Sequence, residues 1–386
     1  MEGARLSYSA AFSPDGAQLA TGGQALHIWD VRTGKEQLGS LSKESFGFCS
    51  LSLSPNGRVL AIGCQNGMLH LWDVAADREI TKFQAHKPGE WPSLAFSPDG
   101  KTLASSQMDW TVRVWEVTSG KERERFDGKR SMTDRVAFSP DGRFLAFGGT
   151  DKAVNIYDLT AGEMVHTFKG HDGWIISLAF SPDGTRLVSS SQDATALVWD
   201  MAAVRPAVRP KEADLSADER DALWDRLADR DAAAAGKAVR SLLASPRQAA
   251  ALLGDRLRPA RAADAEEIAR LIRDLDDDDI DVRERADARL AARGADAAPA
   301  LRKALEGGPS AEVRRRVERL LKALGDDGPS PERLRAARAV EVLERLGTPA
   351  AKEALGRLAD GAADVDLTRD AKDALRRLAA RTDKTP

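Results

Sequence analysis

The chain has 386 residues, enough for two domains with separate cores, and its formal net charge of −3 is close to neutral. This balance argues against a nucleic-acid-binding protein, which usually carries a strongly basic patch. Two cysteines, Cys49 and Cys64, are too few for a disulfide framework and are expected to be small buried residues. The sequence has no signal-peptide pattern and no apolar run of the roughly 20 residues that cross a bilayer. It therefore predicts a cytoplasmic protein without membrane contact.

The first half of the sequence repeats with a spacing of 41 to 43 residues. A turn motif recurs five times, as FSPDG at 12–16, LSPNG at 53–57, and FSPDG at 96–100, 138–142 and 180–184. A second motif keeps the same spacing, as IWD at 28–30, LWD at 71–73, VWE at 114–116, IYD at 156–158 and VWD at 198–200. Short apolar or alternating runs between these motifs predict strands. Units of four strands at this period are typical of the blades of a β-propeller.

These motifs resemble the WD40 repeat family over about residues 1–204. The resemblance implies that a His, a turn Asp and the Trp of the terminal dipeptide form a buried hydrogen-bonded set in each blade. The matching residues, complete in repeats three and five and partial elsewhere, are His86, Asp109, Trp115, His171, Asp193, Trp199, Asp151, Tyr157, Trp72 and Trp29. We interpret them as structural. Because Gly-x-Ser-x-Gly, HExxH and P-loop patterns do not occur in the sequence, we predict no catalytic residue, no cofactor and no metal site.

The number of repeats predicts an incomplete ring. Propellers of the WD40 family usually have seven blades, whereas five repeats are recognisable here. The fifth repeat has no fourth strand of its own, and only residues 1–6 precede the first strand. Three explanations remain open: a sequence that lacks some of its blades, an open arc that a partner completes, or a genuine ring of five blades. An unclosed ring would leave two sheet edges exposed.

The composition changes after residue 204, where Trp224 is the only aromatic residue. This change divides the chain into a propeller at 1–204, a linker with two prolines at 205–214, and a helical domain at 215–386. Ser216 and Glu219 have the spacing of a helix capping box, and ten helices are predicted in this domain. Antiparallel helix pairs at a loose period near 30–40 residues suggest an α-solenoid.

Two segments of the helical half, 272–308 and 337–361, resemble HEAT repeats. The fold class predicted for the whole chain is therefore multidomain β plus α, a WD40 β-propeller followed by an all-α HEAT-like solenoid. This arrangement is similar to WD40 proteins of high-GC bacteria. The run Asp276–Asp279 is interpreted as a helix start because it lacks the alternating ligands of a calcium loop. The run Arg314–Arg316 is interpreted as an ion-paired helix face because Glu312 and Glu318 lie close to it.

The function predicted from these features is a non-enzymatic scaffold or adaptor for protein–protein interaction, whose partner is another protein or a peptide. Trp110 and Trp174 are expected on one rim of the propeller, where exposed Trp residues are enriched in binding hot spots. Arg130 is a further candidate on that rim. The alternative is that the chain is the sensory or docking half of a larger regulatory enzyme or transcription factor. In either case a partner, or missing blades, could complete the propeller.

Overall fold

A computed structural model describes most of the residues of the chain. They are residues 7–13, 16–23, 26–37, 49–89, 92–107, 109–127, 133–204, 214–259, 262–293, 297–327, 329–362 and 365–382. Arg130, one of the predicted binding residues, lies outside them. The chain divides into two compact units, Met1–Arg209 and Pro210–Pro386.

The first unit is a β-propeller of five blades, each an antiparallel sheet with its strands in chain order. Blades one and two contain β1 Ser7–Phe12, β2 Gln18–Gly23, β3 Leu26–Asp30, β4 Glu36–Gln37, β5 Cys49–Leu53, β6 Val59–Cys64, β7 Met68–Asp73 and β8 Arg78–Gln84. Blades three and four contain β9 Ser93–Phe96, β10 Thr102–Gln107, β11 Thr111–Glu116, β12 Lys121–Asp127, β13 Thr133–Phe138, β14 Phe144–Gly149, β15 Ala153–Asp158 and β16 Glu163–Lys169. Blade five contains β17 Ile175–Phe180, β18 Arg186–Ser191 and β19 Ala196–Asp200.

The Ser-Pro-Asp-Gly motif closes the turn between the first two strands of a blade. In blade three, the Ser97 hydroxyl donates to the Asp99 carboxylate at 2.5 Å, and the Lys101 N–H donates to the same carboxylate at 3.0 Å. Gly100 has a φ of 70°, which a residue without a side chain adopts at low cost. The corresponding serines in blades four and five, Ser139 and Ser181, make the same bond. The motif therefore fixes the register of each first hairpin.

Neighbouring blades pack through the same two faces throughout the unit. We call the side that contacts the preceding blade the leading face, and the side that contacts the next blade the trailing face. Ala104 and Val114 on the trailing face of blade three share an apolar cluster with Val136 and Leu145 on the leading face of blade four. Equivalent clusters join the other neighbouring pairs. The second strands of blades two to four are consequently buried on both faces.

The two outer faces of the array carry exposed apolar residues. Val198 of β19, on the trailing face of blade five, is 60% exposed, although its counterparts Leu71, Val114 and Ile156 are fully buried. At the other end, Phe12 of β1 on the leading face of blade one is 61% exposed. In the described part of the chain, blade five also has three strands rather than four, as its sequence predicts.

The second unit contains ten helices in the described residues, the number that the sequence predicts. They are α1 Ala217–Arg226, α2 Ala232–Ala244, α3 Pro246–Arg256, α4 Ala262–Asp274, α5 Ile280–Arg293, α6 Ala298–Glu306, α7 Ala311–Asp327, α8 Pro331–Leu346, α9 Pro349–Ala359 and α10 Asp366–Thr382. The predicted capping box is present at the start of α1, where Ser216 and Glu219 satisfy each other's backbone N–H groups. Ser330 and Thr348 cap α8 and α9 in a similar way.

The order in which these helices pack departs from the predicted solenoid. In a solenoid each repeat contacts only its neighbours in sequence. Here α1, α2 and α3 share one apolar cluster with α8, α9 and α10, whereas α4 to α7 form a second cluster of their own. The reason lies in α8, whose residues 337–344 are buried all round, so that it serves as a central helix. The predicted helical region is present, and its helices pack in two clusters rather than in one serial stack.

Candidate functional site

His86, Asp109 and Trp115 of blade three are joined by a fourth residue, Ser105. His86 lies 3.1 Å from Asp109 through Nδ1 and 2.7 Å from Ser105 Oγ through Nε2. The Trp115 indole N–H donates to the same Oγ at 2.8 Å. The arrangement is consistent if Nδ1 carries the imidazole proton and Ser105 donates to Nε2. Four side chains from the loop entering the blade and from β10, β11 and their turn are thereby fixed to one another.

Blade five contains the same arrangement. His171 lies 3.0 Å from Asp193 through Nδ1 and 2.8 Å from Ser189 Oγ through Nε2, and the Trp199 indole N–H donates to that Oγ at 2.7 Å. Thr195 adds a further hydrogen bond to Asp193. The two complete sets therefore lie in the two repeats that carry all three residues in sequence.

The other blades retain only parts of this set. In blade four, Asp151 accepts the backbone N–H of Ala153, and Tyr157 is buried against Phe126. Burial raises the pKa of Tyr157 to about 12, and the nearby carboxylates add to the effect. In blade one, Trp29 donates its indole N–H to Thr21.

Blade two lacks the hydroxyl that receives the indole N–H. The Nε1 of Trp72 is buried without a partner, because Ile62 stands where Ser105 and Ser189 stand in the complete blades. Sequence reasoning missed these two serines. A hydroxyl two residues after the Leu of β2, β10 and β18 was the available signal, but it is interrupted in two of the five repeats.

Hydrogen bonds keep the two turn carboxylates ionised. Burial acts to raise the pKa of Asp109, but hydrogen bonds from His86 and Thr111 outweigh it, so that the pKa lies well below its ordinary value of 3.8. The hydrogen bond from the Thr195 hydroxyl is the main reason why the pKa of Asp193 is also lowered. Both carboxylates are therefore acceptors at neutral pH.

The bonding order Ser–His–Asp is that of a hydrolase triad, but the surroundings differ. Ser105 is fully buried and its oxygen already receives the Trp115 indole N–H. Ser189 is buried and occupied by Trp199 in the same way. A nucleophile must be reachable by a carbonyl carbon and must have an oxyanion site next to it. These serines thus act as connectors between strands.

The complete sets also tie two loops together at one rim of the propeller. The Asp109 carboxylate accepts the Lys87 N–H at 3.4 Å, and the Asp193 carboxylate accepts the Asp172 N–H at 2.8 Å. In blade five, the Gln192 N–H further donates to the Trp174 carbonyl at 2.9 Å. The loop that enters a blade and the turn between its second and third strands therefore lie side by side.

Trp110 lies in that turn of blade three and is 47% exposed, with a φ of 66°. The same turn position is Gly67 in blade two, Lys152 in blade four and Ala194 in blade five, all with positive φ. A left-handed backbone costs a residue with a Cβ about 1–2 kcal/mol, and bulky side chains are rare there. Neither burial nor backbone preference accounts for a Trp at this position.

Trp174 lies in the loop that enters blade five and is 42% exposed. We call the surface formed by Trp110 and Trp174, with the loops tied to Asp109 and Asp193, the aromatic rim. A cavity of about 240 Å³ also opens here, lined by Gln84, Ala85, His86, Lys87, Pro88 and Arg113. It is smaller than the roughly 300–1,000 Å³ typical of sites for small ligands.

The two charge runs of the helical unit are engaged in local bonds. In the run Asp276–Asp279, the Asp277 carboxylate accepts the Asp279 N–H and Asp276 accepts from Ser310. Glu312 pairs with Arg315 at 2.7 Å and with Arg316 at 2.6 Å. Within the described residues, no group of three or more His, Cys, Asp or Glu side chains is arranged to hold a metal ion. None of the described helices is both long and apolar enough to span a membrane.

Fold and rim together define a β-propeller protein with a helical region. The family model described as the IFT122 first beta-propeller matches residues 7–200, which is 194 of 386 residues and just over half of the chain. The chain belongs to this family. The limits of the match coincide with the first residue of β1 and the last residue of β19. A search of curated proteins found no match.

Proposed function

We propose that this chain is a non-enzymatic scaffold that binds another protein through the aromatic rim of its propeller. The observation that carries the proposal is Trp110, an exposed indole held on a strained backbone. Strain retained at an exposed position without a packing benefit is characteristic of functional sites. A rigid Trp offers a large contact area with little side-chain entropy to lose, which suits it to a binding hot spot.

The WD40 assignment forms part of this proposal. It is supported by the two complete Asp–His–Ser–Trp sets and by the spacing of the repeats. We also propose that the chain is similar to WD40 proteins of high-GC bacteria and that it is cytoplasmic. The absence of catalysis is supported by the burial of the Ser–His–Asp sets, whose serines already accept an indole N–H.

Replacing Trp110 with Gly tests the rim without endangering the fold. Glycine adopts the φ of 66° freely, so Trp110→Gly is expected to unfold at the wild-type temperature or slightly above it. Ala194→Gly is the matched control, because it makes the same backbone change at the equivalent turn of blade five without removing an aromatic ring. Trp174→Ser removes the second indole.

Binding is compared by recovering partners of the tagged chain from its source cells and quantifying them by mass spectrometry. We expect a protein that wild type and Ala194→Gly retain and that Trp110→Gly and Trp174→Ser lose by tenfold or more, roughly the effect of a hot-spot residue. The same set of proteins on all four chains would contradict the proposal.

A further inference from the structure

We propose that a second copy of this chain covers the open end of the propeller. The leading face of blade one in one copy packs on the trailing face of blade five in the other, head to tail. The surfaces involved are the two end faces, which are separate from the aromatic rim. The argument starts from the interface that the chain already uses four times between its own blades.

The trailing face of blade five has the composition of a buried interface but is exposed. Ala179, Val188 and Val198 stand opposite one another across β17, β18 and β19 and form one apolar row. Val188 is 39% exposed and Val198 60%. The equivalent row of blade three, Ala95, Ala104 and Val114, packs against blade four. Burying the blade-five row would therefore remove apolar surface from water in the same way.

The leading face of blade one presents the other half of that interface. Phe12, Leu19 and Trp29 stand opposite one another across β1, β2 and β3. Their counterparts in blade three, Phe96, Leu103 and Trp115, share the apolar cluster that joins blade three to blade two. Phe12 is 61% exposed, about as much as Val198 at the other end. The leading face of blade one and the trailing face of blade five are thus the two kinds of surface that pack together at each internal interface.

A reciprocal exchange of residue size indicates that the two ends fit each other. Each internal interface brings an Ala on the trailing face into one cluster with a Leu or Val on the leading face of the next blade. The four pairs are Ala20 with Leu51, Ala61 with Leu94, Ala104 with Val136, and Ala146 with Leu178. At the ends the sizes are reversed, because the trailing position holds Val188 and the leading position holds Ala10. The pair keeps a similar total volume, which is the kind of change that packed interfaces tolerate best.

The two ends also carry the groups that form a hydrogen bond between the first two blades. The Leu51 N–H of blade two donates to the Ser9 hydroxyl of blade one at 3.0 Å. By repeat position, Ser9 corresponds to Ser177 and Leu51 corresponds to Ala10. Ser177 is exposed on blade five. In the head-to-tail pair, the Ala10 N–H of one copy donates to the Ser177 hydroxyl of the other.

Because the two contacting faces differ, the interface is heterologous and each copy can use both. A substitution on one face therefore blocks only one of the two contacts. Val198→Lys disables the blade-five end and Phe12→Glu disables the blade-one end. Met164→Lys is the matched control, because Met164 is a comparably exposed apolar residue on the outer strand of blade four.

Sedimentation velocity from low to high micromolar concentration tests the proposal. We expect the mass of wild type and Met164→Lys to rise with concentration, while each end variant alone stays monomeric because its affinity falls at least about a hundredfold. An equimolar mixture of Val198→Lys and Phe12→Glu should form a dimer and nothing larger, since one intact contact remains. Circular dichroism spectra equal to wild type establish that the variants are folded.

Three results would overturn the proposal. They are a wild-type chain that stays monomeric at every concentration, an end variant that still associates by itself, and a mixture that stays monomeric while wild type associates. The size exchange gives an independent check. Ala10→Leu should weaken association about tenfold by overpacking, and adding Val188→Ala to the same chain should restore it. Failure of the second change to restore association would show that these positions do not meet.

Discussion

Ser105 joins three segments of blade three, although the repeat motifs do not single it out. Its single hydroxyl connects an imidazole and an indole, both buried, and thereby links the loop entering the blade to β10 and β11. A buried polar group that loses its only partner costs about 1–3 kcal/mol. The cost of removing this hydroxyl therefore falls on two side chains at once.

Ser105→Ala is expected to lower the free energy of unfolding of the propeller by about 2–3 kcal/mol. The neighbouring Ser106→Ala is a matched control, because Ser106 is equally buried but its hydroxyl has no hydrogen-bond partner. That change should be neutral or slightly stabilising, since it removes an unsatisfied polar group. Urea unfolding followed by tryptophan fluorescence measures both. Equal effects of the two substitutions would mean that the hydroxyl of Ser105 is not a connector.

Acid should weaken the propeller through Asp109 and Asp193. Because their pKa values in the folded chain lie below the ordinary 3.8, the unfolded chain binds protons first as the pH falls. Their stabilisation is complete above that ordinary value and is lost as the pH falls through it towards the folded pKa. Between about pH 5 and pH 3, the unfolding temperature of Asp109→Asn should fall by less than that of wild type. An equal fall in unfolding temperature for Asp109→Asn and wild type would mean that Asp109 does not cause the acid sensitivity.

At the level of elements, the sequence predicted the blades well because each is defined by local chemistry. The Ser-Pro-Asp-Gly turn forms its bonds within five residues, and Gly100 and Gly184 both take the positive φ that the motif requires. The connector serines could not be predicted with the same ease, because their partners are about 10 and 19 residues away and the position is Ile62 in one repeat and Phe147 in another.

The helical elements were predicted individually, but their packing order was not. Caps such as Ser216 and Ser330 are local signals and were readable. The contact of α2 and α3 with α8 depends on apolar faces that many helices rich in Ala and Leu share, so the sequence does not select among partners. In the structure, the charged residues that are buried on α8 indicate its central position.

One of those charges gives a direct test of the helical core. Glu344 of α8 is fully buried and receives two hydrogen bonds from Arg377 of α10, at 2.7 and 2.8 Å. Arg377→Ala is expected to cost about 3–5 kcal/mol, because it removes the guanidinium from a buried carboxylate. Arg376→Ala is the matched control, since Arg376 is largely exposed and pairs with Asp373 on the same helix.

The control substitution should cost under about 1 kcal/mol, in line with exposed ion pairs. Chemical denaturation followed by far-ultraviolet circular dichroism measures both helical variants. A loss for Arg377→Ala no larger than that for Arg376→Ala would mean that α8 is not held by this pair.

For the whole molecule, one interface repeated four times explains both the propeller and its ends. Blades two to four are covered on both faces, whereas blades one and five each have a single neighbour among the described residues. The sequence predicted five repeats and an incomplete ring, because the turn and Trp motifs occur five times. It did not predict that the end faces match, since that match depends on Ala10 and Val188, two residues outside the motifs.

Hydrogen–deuterium exchange of the third strands tests the five-blade array most directly. In blades three and four, β11 and β15 lie between two hydrogen-bonded strands, whereas in blade five β19 has β18 on one side only among the described residues. Amides in residues 196–200 are therefore expected to exchange much faster than those in residues 112–116 and 154–158. Equal protection of all three segments would contradict an array that stops at an open fifth blade.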